Sequence, residues 1–132
     1  MLDFFVNMES NLFDLSGKTA LVTGGGRGIG LAIAKGLAMH GADIALISRT
    51  EKQLEKAKEQ IDADTGRKVL TFPFDLQNLQ EIETQFGKIA AATGGIDILV
   101  NCAGTTIRGL GEDITLEDWD KVLKGNLPAA FC

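Results

Sequence analysis

The residues best placed to do chemistry stand in one tight run, Thr23-Gly24-Gly25-Gly26-Arg27-Gly28-Ile29-Gly30. Glycine carries no Cβ, so such a run can turn sharply and bring its backbone close to a bound group. The apolar stretch 19–22 before it reads as a buried strand. Residues 28–40 after it read as a helix, with Ile29, Ile33 and Leu37 at helical spacing and Gly41 as its stop. A turn in that setting aims the free N–H groups and the positive dipole end of a helix at an anion. A bare structural turn is the plainer alternative, and the strand–turn–helix context argues against it. The run therefore implies a cradle for a pyrophosphate, lined by Gly24, Gly26, Arg27, Gly28, Ile29 and Gly30.

A second strand follows at 44–47 and ends in Ser48-Arg49. A site selective for NAD(H) carries an acid at this point, about twenty residues past the glycines, to bond the ribose 2′-hydroxyl. Ser48 and Arg49 remove that carboxylate and supply a guanidinium able to grip a 2′-phosphate bidentately, with Arg27 as a second positive charge. The pair favours NADP(H) over NAD(H). The plainer reading is that Arg49 merely starts a charged helix.

Positioning these groups requires a scaffold, and the pattern supplies one. A helix at 51–63 has Leu54, Ala57 and Ile61 on one face, and Gly66 stops it. A strand at 68–73, a helix at 78–92 with Ile82, Phe86 and Ile89 inward, and a strand at 96–100 follow. A fourth helix opens at Thr115, with acids at 117 and 118, and is expected to run through Trp119, Val122 and Leu123 to the chain end. Alternation of this kind predicts an α/β fold: the N-terminal portion of a Rossmann-type doubly wound parallel sheet, about four strands with helices on both faces. Ligands of such sheets lie beyond the carboxyl ends of the strands. The glycine turn, Ser48-Arg49, Asp75 and Asn101 all fall there.

Four motifs together resemble the short-chain dehydrogenase/reductase family across residues 18–132. They are Thr23-Gly24-x-x-x-Gly28-x-Gly30, Asp75-Leu76 after the third strand, Asn101-Cys102-Ala103-Gly104 and Trp119-Asp120-x-Val122-x-x-x-Asn126. Cys102 departs from the family, which has asparagine there. The resemblance implies that Asp75 and Leu76 hold an adenine, and that Asn101, Ala103 and Gly104 border the nicotinamide ribose. It implies that Asn126 holds a water in a catalytic proton relay. It also implies hydride transfer to or from a carbonyl or secondary alcohol of a small-molecule substrate, and a homo-oligomer at full length. The 12–18 segment and the 105–108 loop look most similar to sugar-acid and polyol dehydrogenases such as gluconate 5-dehydrogenase, with 3-oxoacyl carrier-protein reductases close behind.

The family's chemistry uses a tyrosine, a lysine four residues later and a serine, all beyond the asparagine helix. The chain has 132 residues and no tyrosine. The expectation is a cofactor-binding domain at 17–132, preceded by an arm at 1–16, truncated before the catalytic segment and inactive alone. A catalytically silent nucleotide-binding or interaction module is the alternative. An adenosyl-methionine methyltransferase is a third reading, disfavoured by the missing acid at 48–49.

Composition sets limits. A net charge of −5 lacks the basic footprint of a nucleic-acid or anionic-membrane binder. Cys102 and Cys132 have neither metal-ligand spacing nor the density of a disulfide scaffold, which favours a reducing, cytoplasmic setting. Cys102 is expected to be buried, and Trp119 to sit in the core or at a subunit interface. His40 is expected to meet a helix dipole rather than a metal.

Overall fold

The computed structural model describes residues 12–131; residues 1–11 of the expected N-terminal arm lie outside them. The element order is β1 (Thr19–Thr23), α1 (Gly28–Met39), β2 (Asp43–Ser48), α2 (Glu51–Thr65), β3 (Val69–Pro73), a 3-10 turn (Leu79–Glu81), α3 (Ile82–Thr93), β4 (Ile98–Asn101), α4 (Leu116–Asn126) and α5 (Pro128–Phe131). The four strands form one parallel sheet in the order β3-β2-β1-β4. Chain reversal between β3 and β4 places the switch point beside β1, where its glycine turn emerges.

Strand alternation decides which side chains meet which helix. Ala20, Val22, Ile44 and Leu46 pack with Ala34 and Ala38 of α1 and Leu54, Ala57 and Ile61 of α2. Leu21, Ala45 and Ile47 point the other way, onto Phe74, Leu76, Ile82 and Ile89. Both faces of β1 and β2 are thus covered, which is why these strands read as unbroken apolar runs. Phe86 is half-buried on the second face.

Several boundaries differ from expectation. Asp97 lies outside β4, because its carboxylate accepts a hydrogen bond from Thr19 N at 2.8 Å and stands 3.8 Å from Lys18 Nζ. Residues 79–81 form a 3-10 turn before α3 begins. The last helix does not run on to the chain end: α4 closes at Asn126 and α5 restarts at Pro128, a residue with no N–H to continue the ladder. Thr115 does cap α4, accepting from Asp118 N at 3.1 Å in a reciprocal capping box. The Thr115 hydroxyl, and then its N–H, hold the Asp118 carboxyl below the usual aspartate value.

Trp119 is not in the core of the described structure: it is exposed, as are Leu116 and Leu123 of α4 and Leu127 just after it. Leu99 on the β4 edge is half-exposed. His40 caps α1, its ring tilted against Phe13 at a centroid distance of 6.4 Å. Among the described residues no helix is long and apolar enough to cross a membrane. Among the described residues no cluster of histidine, cysteine and acidic side chains could hold a metal.

Candidate functional site

Beyond the carboxyl ends of the strands lies a cleft of about 550 Å³. Its floor is the glycine turn. Gly24 takes φ +67°, and a Cβ there would stand 2.9 Å from Ala103 Cα, so the turn after β1 and the loop after β4 can close on each other only through glycine. Gly30 is more confined still, since a Cβ would press into the Gly24 carbonyl oxygen. Gly25 N donates to Ile47 O at 3.2 Å, which pins the turn to β2.

Thr23, the last residue of β1, organises the opposite wall. It is the one polar residue buried among the described residues. Its Oγ1 accepts from Cys102 N at 3.1 Å and Ala103 N at 3.0 Å, and it donates to Val100 O at 3.4 Å. Thr23→Val keeps the shape and strips both N–H groups of their acceptor. We expect it to lower stability by about 1–3 kcal/mol, read as a shift in the urea midpoint; an unmoved midpoint would remove this role.

The helices that open onto the cleft start without side-chain caps. Arg27 at the N-cap of α1 and Thr50 at the N-cap of α2 make no capping bond. The first turn of α1 carries no acid, and its first helical bond is Leu31 N to Arg27 O at 3.3 Å. The N–H groups of Gly28, Ile29 and Gly30 therefore remain free for an anion. α4 makes the contrast, because its cap is complete and its first turn contributes no residue to the cleft lining.

Of the residues singled out from sequence, Gly24, Arg27, Gly28, Ile29 and Gly30 line the cleft. So do Ser48 and Arg49 at its mouth, Asp75 and Leu76 on one side, and Ala103 and Gly104 on the other. Arg27 and Arg49 are both exposed, and neither forms an ion pair among the described residues. Gly26 stands behind the wall, where a Cβ would lie 3.2 Å from Gln53 Cβ and 3.3 Å from Ser48 Cβ. Asn101 closes β4 without lining the cleft. Asn126 is tethered beneath it: Nδ2 donates to Thr105 O at 2.8 Å and Val122 O at 2.7 Å. Its Oδ1 occupies the space that a side chain on Gly104 would need.

The cleft also contains residues that spacing did not single out as contacts: Ile47, Thr50, Gln53, Phe74, Gln77, Thr105 and Gly125. Cys102 joins them, half-buried in the loop after β4 rather than buried as expected, because the strand ends one residue before it. Thr23 was legible as part of the motif, but its bonds span 79 and 80 positions, which no local pattern reveals.

A parallel sheet ordered β3-β2-β1-β4, with a glycine turn and an uncapped helix at its switch point, defines a Rossmann-type α/β domain. The chain belongs to the short-chain dehydrogenase/reductase family: the model of that family, short chain dehydrogenase, matches residues 18–132. It is 40% identical over 121 residues to gluconate 5-dehydrogenase of Gluconobacter oxydans, covering 92% of this chain and 47% of that protein. A Burkholderia cenocepacia short-chain dehydrogenase in complex with NADP superposes with a TM-score of 0.82 at 41% identity, over 89% of this chain and 48% of that one. An NAD+-bound xylitol dehydrogenase gives 0.83 at 32% identity, over 89% and 45%. The chain spans about half the length of the relatives it matches.

Proposed function

We propose that the cleft binds NADP(H), in preference to NAD(H), as the cofactor half of a short-chain oxidoreductase. The observation that carries this reading is the end of β2, where Ser48 and Arg49 stand in place of an acid and Arg49, like Arg27, has no carboxylate partner among the described residues. The glycine cradle fits the group. At Gly24 and Gly30 a Cβ would fill the space between chain segments, and the free N–H groups of α1 answer a pyrophosphate.

Bound there, the nicotinamide supplies or accepts a hydride. In this reading Gly24, Gly28, Ile29 and Gly30 line the pyrophosphate, and Asp75 and Leu76 hold the adenine. Ala103 and Gly104 flank the nicotinamide ribose, and Asn101 and Asn126 support that wall. The Asn126 amide, already donating to Thr105 O and Val122 O, fixes the α4 end against the loop after β4. Asn126 would then carry the relay water through its backbone or Oδ1. The substrate is a carbonyl or secondary alcohol of a sugar acid, polyol or 3-oxoacyl group, and the setting is cytoplasmic.

Without a tyrosine, these 132 residues are expected to bind the cofactor and not turn substrate over. The second reading is a silent nucleotide-binding module. At full length, the exposed Leu116, Trp119, Leu123 and Leu127 would meet a second copy.

Titration with NADPH, NADH and S-adenosyl-methionine tests the cleft. NADPH is expected to bind about tenfold or more tighter than NADH, with no binding of S-adenosyl-methionine. A preference for S-adenosyl-methionine would overturn the reading. Turnover of a sugar acid or polyol by the full-length protein would exclude the silent module.

A further inference from the structure

We propose that Gln77 reads the base of the dinucleotide, pairing its side-chain amide with the adenine edge beside Asp75; this rests on the reading of the cleft given above. Gln77 lines the cleft next to Asp75 and Leu76 and is half-buried. Its backbone N–H donates to Asp75 Oδ1 at 3.0 Å, so one carboxylate oxygen is committed to the turn and Oδ2 is left for a ligand. The Gln77 side-chain amide has no hydrogen-bond partner among the described residues. A partly desolvated amide turned to a cleft gains from a ligand with a matching donor and acceptor.

A second observation comes from the facing helix. Gly125 lies in the last turn of α4, where its φ is not positive and glycine costs about 1 kcal/mol relative to alanine. The backbone does not require glycine there, and a side chain would crowd its neighbours. A Cβ at 125 would stand 3.2 Å from Gln77 Nε2 and 3.1 Å from Thr105 Cγ2. Gly125 thus leaves open the space in which the amide sits, and Gly125 itself lines the cleft.

The chemistry names the ligand edge. A carboxylate oxygen only accepts, so Asp75 Oδ2 calls for a donor, and the exocyclic amino group of adenine offers two N–H bonds. One goes to Asp75. The other goes to Gln77 Oε1, while Gln77 Nε2 donates to the adjacent ring nitrogen, the bidentate pairing that glutamine makes with adenine. A 6-oxo base presents acceptors at both O6 and N7, so Asp75 Oδ2 is left facing an oxygen and Gln77, even with its amide flipped, can donate to only one of the two.

The test compares NADPH with its hypoxanthine analogue, in which the 6-amino group is replaced by oxygen, by fluorescence titration of the whole chain. The wild type is expected to prefer NADPH by about 30-fold or more, and Gln77→Leu to cut that ratio about five- to tenfold. The NADPH-to-NADH ratio, read at the opposite end of the adenosine, is expected to stay unchanged. Gly125→Leu keeps Gln77 but displaces it, and is expected to reduce the base ratio in the same direction. A wild type that binds neither dinucleotide would sink the reading of the cleft together with this proposal. NADPH binding with an unaltered base ratio in Gln77→Leu would overturn the proposal alone.

Discussion

Gly30→Ala is expected to weaken NADPH binding by at least about 100-fold, close to 3 kcal/mol, and to lower folding stability by roughly 2–3 kcal/mol. The added methyl would press into the Gly24 carbonyl oxygen and approach Gly25 Cα at 3.2 Å. Both neighbours are backbone, so no rotamer change relieves the contact; the turn itself must move. Moving it unseats Gly24 from Ala103 and Gly25 N from Ile47 O, the contacts that join β1, β2 and β4 at the cleft. Gly36→Ala provides the control on the same helix. Nothing stands within 4 Å of a Cβ at 36, and its φ is not positive. There alanine is expected to stabilise by about 0.5–1 kcal/mol and to leave binding untouched. Thermal unfolding and NADPH titration of both variants decide the matter; wild-type binding by Gly30→Ala would refute the close-approach role.

The contrast between Gly30 and Gly36 also marks what sequence can convey. Both are helical glycines, and only their surroundings separate them. The strands were legible because β1 and β2 are buried on both faces, so their apolar residues run without interruption. The glycine stop after α2 was legible because Gly66 adopts a left-handed cap, a local property. Asp97 misled for the opposite reason. Its carboxylate serves Thr19 and Lys18, 78 and 79 positions away, so its polarity belongs to the sheet's far end and not to a strand interior. Thr23, Gln77 and Gly125 are of the same kind. Each acts through a partner on another loop, and the spacing within its own segment gives no hint of it.

Burial logic explains the half-read α4 as well. Its capping box was visible as Thr115 followed by acids, and Pro128 stood in plain view as a break. The helix was expected through Trp119, Val122 and Leu123, with Trp119 in the core or at a subunit interface, and in the described structure Trp119 and Leu123 are exposed. Periodicity says that a helix has an apolar side; it does not say what covers it.

Arg49→Asp is expected to move the NADPH-to-NADH preference by about 100-fold or more toward NADH. Arg49 lies at the mouth of the cleft with no ion pair among the described residues, so its charge is not already satisfied within the protein. A guanidinium-to-phosphate pair contributes about 1.5–3 kcal/mol through charge-assisted bonds. The substitution removes that pair and sets a carboxylate against a dianion, adding repulsion of the same order. With NADH the new carboxylate can accept from the ribose hydroxyls, so its affinity is expected to hold or to rise several-fold. Arg27 remains as the second cation, and its exposure means that salt will screen what it retains. Arg49 is exposed like Arg27, so salt screens the lost pair and the new repulsion too, and the shift should be largest at low ionic strength. Titrating wild type and Arg49→Asp with both dinucleotides at low and high salt measures it. An unchanged ratio would show that the end of β2 does not select the cofactor, and would return NAD(H) to equal standing.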